Sequence, residues 1–175
     1  MGAAALAGIG GIAYAMMPKK YTFGNDLTVN PHEGNVTSGG AGDTTYKSPV
    51  TGKLTKWRIK FSRAYSDSSQ TTPVNPIIRF YVFREASGGY HCVGRDVRTA
   101  TTGINEFDVD IAVNKGDFLF INVGEQYVYC NSPIPFGEYF CLYDNSYRDY
   151  SVCSTYSFGT QSQRPLLINA DVIGR

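Results

Sequence analysis

The sequence predicts an all-β chain: an antiparallel two-sheet sandwich or a barrel of about eight strands, behind an apolar N-terminal extension. Three observations predict it. Apolar and polar residues alternate at period two in one segment after another from about residue 50 onward. Clusters of Gly, Asn, Ser and Asp punctuate those segments at short intervals. No helical period follows the first 17 residues, which speaks against a parallel sheet with crossover helices. A chain of 175 residues suits one domain plus an extension. A domain of that size buries a full core without a metal or disulfide staple.

The strands follow in order. LTKWRIKF places Thr55, Trp57, Ile59 and Phe61 on one face and Lys56, Arg58 and Lys60 on the other. IIRFYVFR is apolar on both faces apart from Arg79, which suits a central strand. The turn Ser87-Gly88-Gly89 joins it to YHCVGRDVR as a hairpin. In FDVDIAV, Phe107, Val109, Ile111 and Val113 point inward while Asp108 and Asp110 point outward. The turn Asn114-Lys115-Gly116-Asp117 leads into DFLFINV, apolar at nearly every position. EYFCLYD, YSVCSTYSF and PLLINADVI complete the set. One core is expected from Trp57, Ile59, Phe61, Phe107, Val109, Ile111, Phe120 and Ile168. Three regions result: residues 1–20 as an apolar contact segment, 21–50 as an exposed arm, and 51–175 as the sandwich.

The extension MGAAALAGIGGIAYAMMPKK carries no charge before Lys19 and Lys20. It lacks the basic region that opens a secretory signal peptide and is expected to be retained. Leu6 stands where N-myristoylation wants Ser or Thr. Its length is at the short end for a membrane helix, and Gly8, Gly10 and Gly11 each weaken a helix in water by up to ~1 kcal/mol. Order there is therefore expected to come from a membrane or a protein groove. The contact residues are Leu6, Ile9, Ile12, Met16 and Met17, with Lys19 and Lys20 marking the return to polar surroundings.

Charge bounds the partners. The net charge is +1, yet residues 1–98 hold 12 Lys and Arg against 6 Asp and Glu, while the remainder holds 4 against 9. In a sandwich, distant strands become neighbours, so this asymmetry predicts internal pairing. Lys56, Arg58 and Lys60 are expected to pair across a sheet with Asp108 and Asp110. No sequence-specific nucleic-acid partner is expected.

Catalysis has little support. His32 falls in the arm, and His91 and Cys92 face opposite sides of one strand, so they make no nucleophile–base pair. Neither G-x-S-x-G nor H-E-x-x-H occurs. Glu125 and Glu138 are available carboxylates, but the single Trp57 is assigned to the core and leaves no tryptophan platform for a sugar. Cys92, Cys130, Cys141 and Cys153 contain no C-x-x-C pair; at most one disulfide is expected, with its partners open. The expectation is a non-enzyme without cofactor or metal. YDNSYRDYSVCSTYSFG, with Tyr143, Tyr147, Arg148, Tyr150 and Tyr156, has the composition of a recognition loop. Packing of these tyrosines on neighbouring loops is the equal alternative.

The order of elements resembles a single jelly-roll viral capsid protein, of the type found in icosahedral viruses with an internal membrane. SPVTGKLTKWRIKF resembles the opening strand, and INEFDVDIAVNKGDFLFINV resembles paired strands around a Lys-Gly-Asp turn. The second stretch is also similar to trimeric tumour-necrosis-factor-like and complement-type jelly rolls. The resemblance covers residues 45–175. It implies a jelly-roll sandwich located in a virion, partnered by other copies and other capsid subunits. The family does not demand an apolar terminus, so a lipid membrane as a further partner is expected from the extension itself. The rival expectations are a receptor- or glycan-binding head, extracellular, and a membrane-anchored accessory subunit of a cellular complex.

Overall fold

A computed structural model describes residues 17–28, 32–37, 39–66, 69, 71–132, 140–144, 149–162 and 168–175. Every regular element among them is a strand. In chain order these are β1 Lys19–Gly24, β2 His32–Thr37, β3 Gly40–Lys47, β4 Gly52–Phe61, β5 Arg63–Tyr65, β6 Ile77–Ala86 and β7 Gly89–Thr99. There follow β8 Gly103–Val113, β9 Phe118–Asn122, β10 Tyr127–Ser132, β11 Phe140–Asp144, β12 Thr155–Tyr156, β13 Gly159–Ser162 and β14 Ile168–Gly174.

Two large antiparallel sheets pack face to face. One runs β1-β14-β4-β8 and the other β12-β7-β6-β9-β3-β11-β13. Eight strands form the frame, β1-β14-β4-β8 over β3-β9-β6-β7. Numbered along the chain, these are 1-8-3-6 over 2-7-4-5, the double Greek key of a jelly roll. The remaining strands are additions. A small sheet β2-β10-β5 flanks the sandwich, and β11, β12 and β13 lengthen the larger sheet at both ends. Strands β10 to β13 all arise from one insertion between β9 and β14.

The core between the sheets takes Leu54, Trp57, Ile59 and Phe61 from β4, Ile78, Phe80 and Val82 from β6, Leu119 and Ile121 from β9, and Ile168, Ala170 and Val172 from β14. Trp57 is fully buried, stacked 4.6 Å from Phe80, and its indole N–H reaches Asp96 Oδ2 at 2.8 Å. Phe107 and Val109 pack at the margin of this core.

Three sequence expectations are corrected. Residues 21–50 do not form a mere arm, because β1 and β3 are frame strands within or overlapping that stretch. The glycine-rich GAGD segment lies in a buried strand because the Phe120 ring lies flat over it. A Cβ on Gly40 or Gly42 would stand 2.6 or 2.4 Å from that ring. Thr55 does not share the inward face with Trp57. A bulge between Leu54 and Lys56 shifts the phase, so Leu54 takes the buried position. Phe120 belongs to a second aromatic core on the outer side of the larger sheet.

Candidate interaction surfaces

The outer faces of the two sheets offer different chemistry. On the four-stranded sheet, β4 carries cations and β8 carries acids, and register sets them side by side. Lys56 opposes Asp108 and Arg58 opposes Glu106. Lys56 Nζ lies 2.9 Å from Glu106 and 3.6 Å from Asp108, Arg58 Nε 2.9 Å from Glu106, and Lys53 Nζ 2.9 Å from Asp110. Of the predicted pairs only Lys56 with Asp108 forms: Arg58 turns to Glu106 and Asp171, Lys53 takes Asp110, and Lys60, opposite Ile104, pairs with neither acid among the described residues. Glu106 is the hub of the pairing that does form, and Asp171 of β14 its buried anchor. Asp171 accepts from Arg58 at 2.6 Å, Lys20 at 2.8 Å and the Thr22 hydroxyl at 2.7 Å. Burial alone would raise the Asp171 carboxyl. The Arg58, Lys20 and Thr22 contacts outweigh it and hold the group well below the usual carboxylate range. Cations so engaged leave little free charge for a phosphate backbone.

On the larger sheet the chain covers its own face. Tyr81, Phe83, Cys92, Phe118 and Phe120 form an outward aromatic layer with Leu142 and Tyr150 of the insertion, against which Tyr90, Tyr156 and Phe158 pack. Phe158 stacks on Phe120 at 4.7 Å, and Tyr150 meets Tyr81 edge-on at 4.9 Å. A polar latch fastens this cover. The Tyr81 hydroxyl donates to Asp149, Arg95 donates to the same carboxylate at 2.7 Å, and Tyr150 N–H donates to the Tyr81 oxygen at 3.3 Å. The Tyr150 hydroxyl donates to Asp144 at 2.6 Å. Burial and the Asp149 bond push the Tyr81 phenol well above its ordinary value. Burial likewise pushes the Cys92 thiol up to about 11, the opposite of an activated nucleophile. Cys92 and Cys153 are both free thiols, and Cys153 holds a left-handed φ of 69° in its turn.

The residues expected to make contacts are placed unevenly. Leu6, Ile9, Ile12 and Met16 lie outside the described residues, as do Tyr147, Arg148 and Glu138. Met17 is exposed. Lys19 and Lys20 begin β1, paired with Gly174 and Ile173, so they start the sandwich as well as ending the apolar run. Tyr143 lies on β11, opposite Ala41 and Gly159. Tyr150 is wholly buried in the aromatic layer. Tyr156 is half-buried, and its hydroxyl accepts the Ser151 N–H at 2.7 Å.

Sequence reasoning missed one feature. At the uncovered end of the larger sheet, Ile77, Arg79, Val123, Gly124, Glu125 and Gln126 line an open recess of about 310 Å³. The available signal was Arg79, the lone charge within the apolar run 77–83 of β6. Among the described residues no group of three or more His, Cys, Asp or Glu is placed to hold a metal ion, and no helix is long and apolar enough to cross a membrane. No family model, curated protein or solved structure matches the chain.

Proposed function

We propose that the chain is a structural subunit of a virion-type shell. The jelly roll tiles against other copies and other capsid subunits, and the apolar stretch Met1–Lys20 attaches to an internal membrane or a neighbouring subunit. Strand order is the observation that supports this most. An eight-stranded double Greek key is an architecture of viral capsid proteins, shared with lectin domains and cupins. The burial of Tyr150 and the packing of Tyr156 weaken the competing reading of a recognition loop. Apolar transfer is worth roughly 25 cal/mol per Å², so partial burial of Leu6, Ile9, Ile12, Met16 and Met17 anchors a subunit weakly and a multivalent shell strongly.

The test compares the full chain with a chain lacking residues 2–17. Both are followed by analytical ultracentrifugation, negative-stain microscopy and flotation with phosphatidylcholine–phosphatidylglycerol vesicles. The full chain is expected to assemble or to float, and the shortened chain to remain a folded, lipid-free particle of low mass. A shortened chain that assembles in equal yield, or a full chain that neither assembles nor floats, contradicts the proposal.

A further inference from the structure

Arg79 is an exception among the strand arginines. Arg58, Arg84, Arg95 and Arg98 each bond a carboxylate, on Asp171, Asp117, Asp149 and Asp96 respectively. Among the described residues, Arg79 has neither a hydrogen-bond nor an ion-pair partner. Its register partners are Val97 on β7 and Asn122 on β9, so it shares the outer face with Tyr81 and Phe83, beyond the reach of the aromatic cover. There it borders the 310 Å³ recess.

The recess has a fixed frame. Gly124 N–H donates to Asn122 Oδ1 at 2.7 Å, and the Gly124 carbonyl accepts Gly39 N–H at 2.8 Å. Gln126 Oε1 accepts Ile77 N–H at 2.9 Å. Glycine at 124 serves two ends: its φ is +66°, and a Cβ there would stand 3.2 Å from Arg79 Nη1. The guanidinium therefore lies against bare backbone. The exposed apolar residue of the recess is Ile77, 43% exposed, and Val97, the register neighbour of Arg79 just outside the lining, is 45% exposed. Glu125 stands in the lining, where a carboxylate opposes every anion and a dianion about twice as strongly as a monoanion.

We propose that this recess binds a small monocarboxylate carrying a branched apolar body. Arg79 takes the carboxylate through its guanidinium fork, and Ile77, the exposed apolar residue of the lining, takes the body. A partly desolvated, unpaired guanidinium gains a charge-assisted and often bidentate pair from such a ligand. The volume sits at the small end of ligand sites, which suits a free organic acid of few heavy atoms. This site is independent of the shell reading.

The test is an amide-resolved NMR titration of the full chain with 4-methylpentanoate, against 4-methylpentanamide and inorganic phosphate. The acid is expected to shift residues 77–79, 97 and 123–126 in a saturable way, and the amide and phosphate to bind roughly 10-fold more weakly or not at all. Arg79→Lys, which keeps the charge but loses the fork, is expected to weaken the acid roughly 10-fold. Ile77→Ser, a change at an exposed position, should weaken 4-methylpentanoate several-fold and leave acetate unaffected, so the proposal stays testable if the arginine variant folds poorly. Equal binding of acid and amide, shifts centred elsewhere, or no response at tens of millimolar acid would overturn it.

Discussion

The two outer faces of this sandwich are built from strands of similar length and similar β propensity, yet they are closed by opposite means. The four-stranded sheet meets solvent through ion pairs that the chain supplies to itself across β4, β8 and β14. The larger sheet turns aromatic rings outward and hides them beneath its own insertion. A sheet face tolerates water if alternate residues are polar, and it needs a cover if they are not. The difference is visible in single strands. LTKWRIKF alternates and remains half-exposed, whereas IIRFYVF does not and is covered over most of its length. It also bears on function, because among the described residues Lys53, Lys56 and Arg58 are all engaged by acids and the outward rings of the larger sheet are packed under the insertion.

The largest break in the comparison comes from removing what both faces share. Trp57→Ala deletes a fully buried ring stacked on Phe80 and is expected to cost about 3–5 kcal/mol, read by urea unfolding. A loss under ~1 kcal/mol would show that the inter-sheet core lies elsewhere.

The charged face is tested at its anchor. Asp171→Asn leaves the shape but removes the acceptor charge for Arg58 and Lys20, and about 2–3 kcal/mol of stability is expected to go with it. Linkage gives the pH signature. The folded carboxyl titrates below its ordinary 3.8, so its contribution is fully present above about pH 4. That contribution is lost as pH falls through the folded value. Wild-type stability should therefore drop on acidification below about pH 4, and the Asn variant should show a shallower drop. Parallel curves would assign the acid dependence to other groups.

The smallest effect sharpens the same face. Lys53 and Asp110 form a pair that is 57% and 74% exposed, so Lys53→Ala should change stability by less than about 0.5 kcal/mol. A larger loss would mean that the surface pairs act as one network with Asp171.

Much of this architecture was legible in the sequence, and the reasons for the rest are physical. Period-two alternation exposes β4 and β8 because one side of each faces water and the other the core. It fails for β3, whose Gly40 and Gly42 make room for Phe120, so a buried strand has the composition of a loop. It fails for β1 because Lys19 and Lys20 lie on an edge strand, with Lys20 serving Asp171. The tyrosines of the insertion were recognisable as a group, but composition alone does not separate rings that bind from rings that pack. The fate of Tyr150 is decided by Phe83, Phe120 and Asp144, which are remote from it in the chain or on another strand. The recess beside Arg79 was hidden for a similar reason, since the turn that frames it follows β9, which is remote from β6 in the chain and pairs with it only in the fold.

The central claim is that the insertion covers the larger sheet as a unit distinct from the inter-sheet core. Hydrogen exchange of the Tyr150→Ala variant against the wild type tests it most directly. Faster exchange is expected in residues 149–162 and around Tyr90–Cys92, where β12 meets β7, with β4, β8 and β14 unchanged. An equal rise in both sheets, or no change in the insertion, would contradict the claim.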